Sequence, residues 1–434
     1  MNRYLQRHTF CPAQITEAPS PQTGIIVVIP CYNEPNLLAT LASLWACTRP
    51  NVDVEVLVVL NASSRAPENA HLQNKQTAQS FETWTAAHQD PHLRFYLLDF
   101  PDLPKKHAGV GLTRKIGMDE AVARFASIDR PDGVIANIDA DCDCHTNYLT
   151  ELAQHFDTHP EDKGCVIHYE HPIEADDTLS EVEARAIQLY ELHLRVYVHA
   201  LRYAGFPHAY QTVGSSFAVR SQCYQEVGGM NKRQAGEDFY FLQKVFQTDA
   251  CHELHTTCVI PSARISDRVP FGTGRAIGDM LSADAVQFDT YALETFEDIA
   301  PLLKDIRTLY TEPSTLKTRI ASCSSTLQDF LRQQDFVGKW EKSLQETSSY
   351  EVFCRRFLGW WNAFTMMKWA HYARDHAYPN QPVEEIASKL IQKLLPTLPP
   401  SHPLSHSELP ADAKTQLKWM RTLDRERLHP APRL

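Results

Sequence analysis

The sequence has no surplus of positive charge. Its 434 residues include 42 Lys and Arg against 53 Asp and Glu, which gives a formal net charge of −11. Proteins that bind nucleic acids generally depend on a basic surface, because they must neutralise backbone phosphates. The charge balance therefore argues against a nucleic acid as the partner of this protein.

A disulfide framework is also missing. The 11 cysteines are odd in number, and their spacing gives neither a framework nor a repeated CxxC pair. Cys165 and Cys258 lie within apolar runs, where a reduced cysteine packs as a small hydrophobic residue. Cys142 and Cys144 stand beside His145, but no second pair of zinc ligands follows at finger spacing. This pattern of cysteines favours a reducing compartment, and we expect a cytoplasmic protein.

Long hydrophobic runs are absent as well. No stretch approaches the roughly 20 apolar residues that cross a bilayer, so we expect no transmembrane segment. Residues 1–14 include no apolar core of the kind that a signal peptide needs. Association with the surface of a membrane stays open.

What the sequence does contain is an alternation of apolar runs and helical patterns. The length and the 43% of hydrophobic residues are enough for two or three domains. Helical segments separate four apolar runs, at 24–30, 54–60, 94–100 and 134–138. Strands that alternate with helices predict a parallel sheet, whose ligands bind at the carboxyl ends of the strands.

Three acidic residues follow the fourth apolar run, namely Asp139, Asp141 and Asp143. Carboxylates at alternate positions of a strand end point to the same side, so Asp139 and Asp141 are expected to converge. Like charges repel at that distance, which calls for a bound positive group. Hard oxygen ligands suit Mg²⁺ or Mn²⁺ that also carries phosphate oxygens. The alternative is an acidic turn with solvated side chains.

A second acidic pair, Glu237 and Asp238, begins a helical pattern at 236–245. Acids in the first turn of a helix compensate its dipole, which is the structural explanation. The functional one is a general base with a pKa suited to proton abstraction near neutral pH. Because successive helical side chains point about 100° apart, the two acids cannot share one role.

A dinucleotide fingerprint is incomplete. Gly109 and Gly111 precede a helix, but Arg114 stands where the third glycine would be, and the loop follows the third strand and not the first. A Rossmann dehydrogenase is therefore disfavoured. The glycines more plausibly let the backbone approach a ligand, with Arg114 and Lys115 offering charge at the helix start.

Two later regions are less specific. Arg264, Asp267 and Arg268 lie near a Gly-Thr-Gly turn, which fits either a loop over an anionic ligand or a surface loop with a local salt bridge. From about Tyr291 the strand runs disappear. The aromatic-rich stretch 330–372 is typical of a helix-packing core, with stacking of an acceptor sugar on one Trp as the alternative.

Taken together, six motifs resemble those of glycosyltransferase family 2, which has the GT-A fold. In chain order they are Val-Ile-Pro-Cys-Tyr-Asn-Glu (28–34), Gly-Val-Gly-Leu-Thr-Arg-Lys-Ile-Gly-Met (109–118), Ile-Asp-Ala-Asp (138–141), Gly-Ser-Ser-Phe-Ala-Val-Arg (214–220), Gly-Gly-Met (228–230) and Gly-Glu-Asp-Phe-Tyr-Phe (236–241). Each motif is weak alone, but the ordered set, which covers roughly residues 24–274, is specific.

The resemblance implies a fold class and a domain organisation. The fold class is α/β, a GT-A (Rossmann-like), mostly parallel sheet flanked by helices, with a helical C-terminal region. The expected parts are an N-terminal extension (1–22), the GT-A glycosyltransferase domain (23–290), the helical region (291–395), and a Pro-rich linker with a terminal helix (396–434).

The resemblance also implies a metal-dependent, inverting transfer of a sugar from a nucleotide diphosphate sugar to an acceptor hydroxyl. Asp238 would be the base, with Glu237 beside it, and Asp139 and Asp141 would be the DxD pair that holds Mn²⁺ or Mg²⁺. Asp267 stands where some members have a further metal ligand, a His. The residues expected to contact the nucleotide sugar are Pro30, Tyr32, Glu34, Asn61, Gly109, Arg114 and Asp139.

Several alternatives stay open. Asn61 stands where the family usually has an Asp that contacts the base, which leaves the base unassigned. The acceptor is a saccharide, a lipid-linked molecule or a small molecule, and a retaining mechanism competes with inversion. A sugar nucleotidyltransferase would use a similar metal-diphosphate site but release pyrophosphate. A non-catalytic nucleotide-sugar-binding protein on the same fold is the third reading.

Overall fold

The computed structural model describes residues 2–265, 272–283, 285–304 and 306–432. The chain divides into two compact units. Within the described residues, the first unit comprises 2–172 and 212–262, and the second comprises 173–211, 263–265 and the residues from 272 onward.

The first unit is built on a curled, mostly parallel sheet. In the described part of the chain, eight strands join in the order β3-β2-β1-β4-β7-β6-β8-β5. Parallel pairs are β1/β2, β2/β3, β1/β4 and β6/β8, while β7 and β5 run antiparallel to their neighbours. The strands are β1 (Thr23–Cys31), β2 (Asp53–Ser63), β3 (Leu93–Leu103), β4 (Val134–Asn137), β5 (Cys142–Cys144), β6 (Gly164–Tyr169), β7 (Phe217–Arg220) and β8 (Cys251–Pro261).

Helices flank this sheet. They are α1 (Arg3–Arg7), α2 (Leu37–Trp45), α3 (Glu68–Ala87), α4 (Val110–Ser127), α5 (Tyr148–Thr158), α7 (Ser221–Glu226) and α8 (Glu237–Phe246), with α6 in the second unit. All nine residues of β1 are buried, as a strand covered on both faces requires. Gly117 lets α4 approach the sheet closely, because a Cβ there would lie 2.4 Å from Val28 Cγ1 and 3.0 Å from Val59 Cγ2.

The second unit is mainly helical. Its helices are α6 (Glu181–Tyr203), α9 (Thr273–Leu281), α10 (Leu293–Leu303), α11 (Ile306–Thr311), α12 (Leu316–Ser322), α13 (Ser325–Gln333), α14 (Phe336–Gln345), α15 (Tyr350–Trp360), α16 (Ala363–His376), α17 (Val383–Leu394) and α18 (Ala413–Arg425). A short antiparallel pair, β9 (Asp289–Thr290) and β10 (Gln381–Pro382), is added to them. Trp340, Trp361 and Trp369 are fully buried, so these aromatic residues form the helix-packing core.

The predicted fold class is confirmed by this combination of a mostly parallel sheet, flanking helices and a helical C-terminal region. The 11 cysteines are free thiols, and all but Cys11 are buried. Among the described residues, none of the helices is both long enough and apolar enough to pass through a bilayer.

Candidate active site

The candidate site lies at the carboxyl ends of the parallel strands β1, β2 and β4. Tyr32 follows β1 directly, Asn61 lies near the end of β2, and Asp139 comes two residues after β4. These three strands are neighbours in the sheet. The sheet therefore brings together strand ends that are up to about a hundred residues apart in the sequence, as expected for an α/β site.

Arg114, in the second turn of α4, is the central side chain of the site. Its side chain is only 3% exposed. Nε donates a hydrogen bond of 2.9 Å to Glu237 Oε1, and Nη2 lies 2.8 Å from Asp139 Oδ1. Among the described residues, Nη1 has no hydrogen-bond partner. One guanidinium thus connects the turn after β4 with the start of α8.

Two glycines allow the backbone to approach this cluster. A Cβ at Gly214 would lie 2.4 Å from Arg114 Nη2 and 3.0 Å from Asp238 Oδ2. A Cβ at Gly111 would lie 2.2 Å from the carbonyl oxygen of Arg233 and within 3.0 Å of Glu237 Cβ. Both positions therefore need a residue without a side chain, which explains two glycines of the sequence motifs.

The two adjacent acids at the start of α8 occupy different environments. Glu237 is buried and binds Arg114, whereas Asp238 is half-buried and accepts a hydrogen bond of 2.7 Å from the backbone N–H of Phe239. Burial, together with repulsion from Glu237, raises the pKa of Asp238 to about 7, although Arg114 opposes the shift. A carboxyl group with such a pKa can take up a proton near neutral pH.

Asp139 and Asp141 lie on a turn and not on a continuing strand. β4 ends at Asn137, and the backbone N–H of Cys142 donates to the carbonyl oxygen of Asp139 at 3.1 Å. The expectation of alternate positions on a strand end is therefore wrong, because the chain reverses before β5. Asp139 is 36% exposed and Asp141 is half-buried.

The charges of both acids affect the buried thiol of Cys142. Its Sγ lies 4.0 Å from Asp141 Oδ1. Burial, and then the charges of Asp141 and Asp139, raises the pKa of Cys142 well above its usual value. The side chain of Cys142 therefore stays a neutral thiol. The negative charges of Asp139 and Asp141 both act on this one group.

The residues predicted along the nucleoside are held by a hydrogen-bond network that the sequence did not reveal. Asn74, on α3, accepts from the N–H of Asn33 at 2.9 Å and donates to the carbonyl oxygen of Asn61 at 2.9 Å. Thr77 Oγ1 donates to the carbonyl oxygen of Glu34 at 3.0 Å. Two polar residues three apart in a polar helix give no signal of this kind, because their partners are distant in the chain.

The individual positions differ in accessibility. Pro30 is buried within β1 and Tyr32 is half-buried after it. Glu34 is fully buried, and its Oε1 accepts a hydrogen bond of 2.8 Å from the N–H of Asn36. Asn61 is buried within β2. Gly109 precedes α4, and a Cβ there would lie 3.1 Å from Gln234 Cα.

Lys115 does not join Arg114. Its Nζ lies 3.0 Å from Asp119 Oδ2 and donates to the Tyr4 hydroxyl at 3.2 Å. Asp119 also accepts a hydrogen bond from the Tyr224 hydroxyl at 2.9 Å. Lys115 therefore anchors the N-terminal segment to α4, and the expectation that it offers charge beside Arg114 is wrong.

Asp267 and Arg268 lie outside the described residues, so their predicted roles stay predictions. Arg264 is described and half-buried.

Comparison with known proteins finds a family model that matches part of the chain. Residues 26–179 match the family described as Glycosyl transferase family 2. No curated protein matches the sequence.

Solved structures resemble the chain at low identity. TarS from S. aureus is 14% identical over 66% of this chain and 45% of that chain, with a TM-score of 0.36. This chain therefore spans less than half of that TarS chain. TarS 1-349 in complex with UDP-GlcNAc is 13% identical over 81% and 91%, with a TM-score of 0.39. The mannosyltransferase PcManGT from Pyrobaculum calidifontis, in complex with GDP-Man and Mn²⁺, is 13% identical over 97% and 92%, with a TM-score of 0.37.

Proposed function

We propose that the protein transfers a sugar from a nucleoside diphosphate sugar to an acceptor hydroxyl group with inversion, on the basis that residues 26–179 match the family described as Glycosyl transferase family 2. The observation that carries this proposal is the connection through Arg114. This buried guanidinium pairs with Asp139 after β4 and with Glu237 at the start of α8, next to Asp238.

In the proposed reaction, Asp238 removes the proton from the acceptor hydroxyl. Its pKa of about 7 makes it a base of suitable strength at neutral pH. The acceptor oxygen then forms a bond to the anomeric carbon, and the bond from that carbon to the diphosphate oxygen breaks. The nucleoside diphosphate leaves with the electron pair, and inversion follows from attack on the opposite face.

The donor would bind along the strand ends. Pro30, Tyr32, Glu34 and Asn61 are proposed to lie along the nucleoside. Asn74 supports this role indirectly, because it ties the backbone after β1 to that of β2. A donor groove whose two edges are joined by hydrogen bonds loses less conformational entropy on binding.

The diphosphate would lie near Gly109 and the Arg114–Asp139 pair. Because carboxyl groups surround Arg114, its guanidinium would favour an anionic group there only together with a bound cation. Glu237 is a positioning residue in this proposal, since its side chain is buried and accepts a hydrogen bond from Arg114.

A divalent cation fits the charge balance of the site. The single guanidinium of Arg114 is surrounded by the carboxyl groups of Asp139, Glu237 and Asp238, and Asp141 follows on the same turn as Asp139. Mg²⁺ and Mn²⁺ are commonly held by one or two carboxylates together with substrate phosphates. Asp141 would be the main ligand with Asp139 beside it, and Asp267 is a further proposed ligand. The bound ion would supply positive charge that stabilises the leaving diphosphate.

The test is a product assay with a panel of nucleotide sugars, Mn²⁺ or Mg²⁺, and saccharide, lipid-linked and small-molecule acceptors. UDP-GlcNAc and GDP-Man, which are bound in the TarS 1-349 and PcManGT structures, are the first to try. We expect release of a nucleoside diphosphate. In a parallel assay with nucleoside triphosphates and sugar 1-phosphates, release of pyrophosphate would identify a nucleotidyltransferase. Binding without turnover in either assay would indicate a non-catalytic protein. NMR of the product's anomeric configuration distinguishes inversion from retention.

A further inference from the structure

A second group of metal-ligating side chains lies at the end of α5, in the first unit. His155 is in the last turn of this helix, His159 follows the helix directly, and Asp162 precedes β6. One donor atom from each of the three lies within 4.8 Å of the other two. Among the residues that the structure describes, no other three His, Cys, Asp or Glu side chains have this spacing.

Two of these side chains are buried, and each has one polar atom without an ordinary hydrogen bond among the described residues. The side chain of His155 is 5% exposed and that of Asp162 is 0% exposed. His155 Nε2 and Asp162 Oδ2 lie 3.0 Å apart, yet neither atom has a partner with hydrogen-bond geometry among the described residues. Two ligand atoms of one tetrahedrally coordinated ion, each about 2.0–2.1 Å from it, lie roughly 3.3 Å apart. The 3.0 Å between His155 Nε2 and Asp162 Oδ2 is close to that separation.

His159 has the tautomer that a metal ligand needs. Its Nδ1 lies 3.1 Å from the carbonyl oxygen of His155 and 3.0 Å from Thr158 Oγ1. A carbonyl oxygen can only accept, so Nδ1 donates this hydrogen bond and Nε2 is the ring nitrogen that remains for an ion. Metal-binding histidines usually donate their other N–H in this way.

The turn that carries the group is fixed by Arg220 from β7. Its Nε donates to the carbonyl oxygen of Asp162 at 2.7 Å, and its Nη2 donates to that of Phe156 at 2.8 Å. These bonds hold the backbone on both sides of His159. His252, on β8, places Nδ1 2.7 Å from Asp162 Oδ1 and so orients the carboxylate from the other side. The ligands are therefore held in place before any ion binds.

We propose that His155, His159 and Asp162 bind a divalent transition-metal ion of the Zn²⁺ type, with water as the fourth ligand and His252 as the partner of the Asp162 carboxylate. Two imidazoles and one carboxylate favour Zn²⁺ and similar ions over Mg²⁺, which prefers oxygen ligands. The ion would fasten the end of α5 to β6 and β8, because Asp162 and His252 adjoin these paired strands. The site is separate from the one proposed at Asp139 and Asp141.

The test is a titration of the metal-free full chain with Zn²⁺, in the presence of saturating Mg²⁺, by competition with a chromogenic chelator. We expect one Zn²⁺ per chain and a rise in melting temperature on binding. His159→Gln should weaken Zn²⁺ binding by about tenfold or more and remove that rise. His159 is exposed, so this variant is expected to fold.

A matched control is His376→Gln. His376 is also an exposed histidine at a helix end, with Nδ1 2.8 Å from the carbonyl oxygen four residues earlier. Its substitution should leave Zn²⁺ binding unchanged, and so should Asp141→Ala, which separates this site from the proposed catalytic one. Equal affinity of the parent and His159→Gln, loss of Zn²⁺ binding in Asp141→Ala, or no Zn²⁺ binding at all would overturn the proposal and leave His155 and Asp162 as an ion pair only.

Discussion

Two buried groups of charged side chains, one in each unit, have opposite charge balances. In the first unit, one cation, Arg114, is surrounded by Asp139, Glu237 and Asp238. Carboxylates are in excess there, and burial with repulsion from Glu237 raises the pKa of Asp238 to about 7. This group contains an acid that exchanges its proton near neutral pH.

In the second unit, cations are in excess. Glu191 accepts hydrogen bonds of 2.8 Å from Arg195 Nε and 2.8 and 2.6 Å from Arg421 Nε and Nη2. Asp424 pairs with Arg195 and, at 3.1 Å, with His199 Nε2. These contacts join α18 to α6.

The pKa of Asp424 shows the consequence. Burial alone would raise it, but His199, Arg195 and Arg202 hold the pKa of this carboxyl well below its usual value. Its charge is therefore fixed at all ordinary pH values. Similar side chains thus make a group suited to proton transfer where carboxylates are in excess, and a structural group where cations are in excess.

The sharpest test of this contrast is Asp238→Asn. If Asp238 is the general base, this variant should lower kcat by about 10²- to 10⁴-fold, while the melting temperature does not fall, because an ionised carboxylate with a raised pKa is removed. Steady-state assay of nucleoside diphosphate release measures the first effect. Asp143→Asn is the control, since Asp143 is exposed and lies beyond the DxD pair. Parental turnover in Asp238→Asn would contradict the assignment.

The opposite result is expected for Glu191→Gln. Loss of this carboxylate removes a charged hydrogen-bond partner from the buried side chains of Arg195 and Arg421, which should cost about 3–5 kcal/mol of unfolding free energy. Chemical denaturation followed by Trp fluorescence measures it, because Trp340, Trp361 and Trp369 are buried in the second unit. Glu174→Gln is the matched control, since Glu174 pairs with Lys414 and Lys418 at an exposed position and should matter little. Equal stability of the two variants would remove the contrast.

A smaller effect is expected for Asp141→Ala. Loss of the proposed main metal ligand should weaken metal-dependent binding of a nucleoside diphosphate by about tenfold, or ~1.4 kcal/mol. A thermal-shift titration with UDP or GDP, with and without Mn²⁺, measures this. Undiminished Mn²⁺-dependent binding would show that the carboxylate excess around Arg114 does not serve a metal at Asp141.

The pH profile refines the comparison further. A general base must be ionised to act. Because the pKa of Asp238 is raised to about 7, kcat/KM should reach its maximum above that pH and fall about tenfold per pH unit below it. Glu237→Gln should move this limb to lower pH, since the repulsion from Glu237 raises the pKa. An unchanged limb in this variant would mean that another group titrates. Asp424, whose pKa is held well below its usual value, should contribute no limb in the same range.

Local signals predicted much of the fold. The apolar runs at 24–30, 54–60, 94–100 and 134–138 correspond to β1 to β4. The observed β1 to β3 are longer by one to three residues at each end, and β4 is one residue shorter. Burial on both faces demands continuous apolar sequence, so such strands are visible without the structure. β5 was not expected, since three residues of Cys-Asp-Cys carry no strand pattern and pair only because β8 lies beside them.

The sequence by itself determined the alternation of strands and helices, the glycines at the start of α4, and the two acidic pairs, because these depend on short-range spacing and residue type. Only the tertiary structure decided that Arg114 bonds to Glu237, 123 residues away, while the adjacent Lys115 turns to Asp119 and Tyr4. It also decided that Asp238 and Asp424 have pKa values displaced in opposite directions. The physical reason is that a buried charge responds to the groups packed around it in space, and no local pattern in the chain specifies those groups.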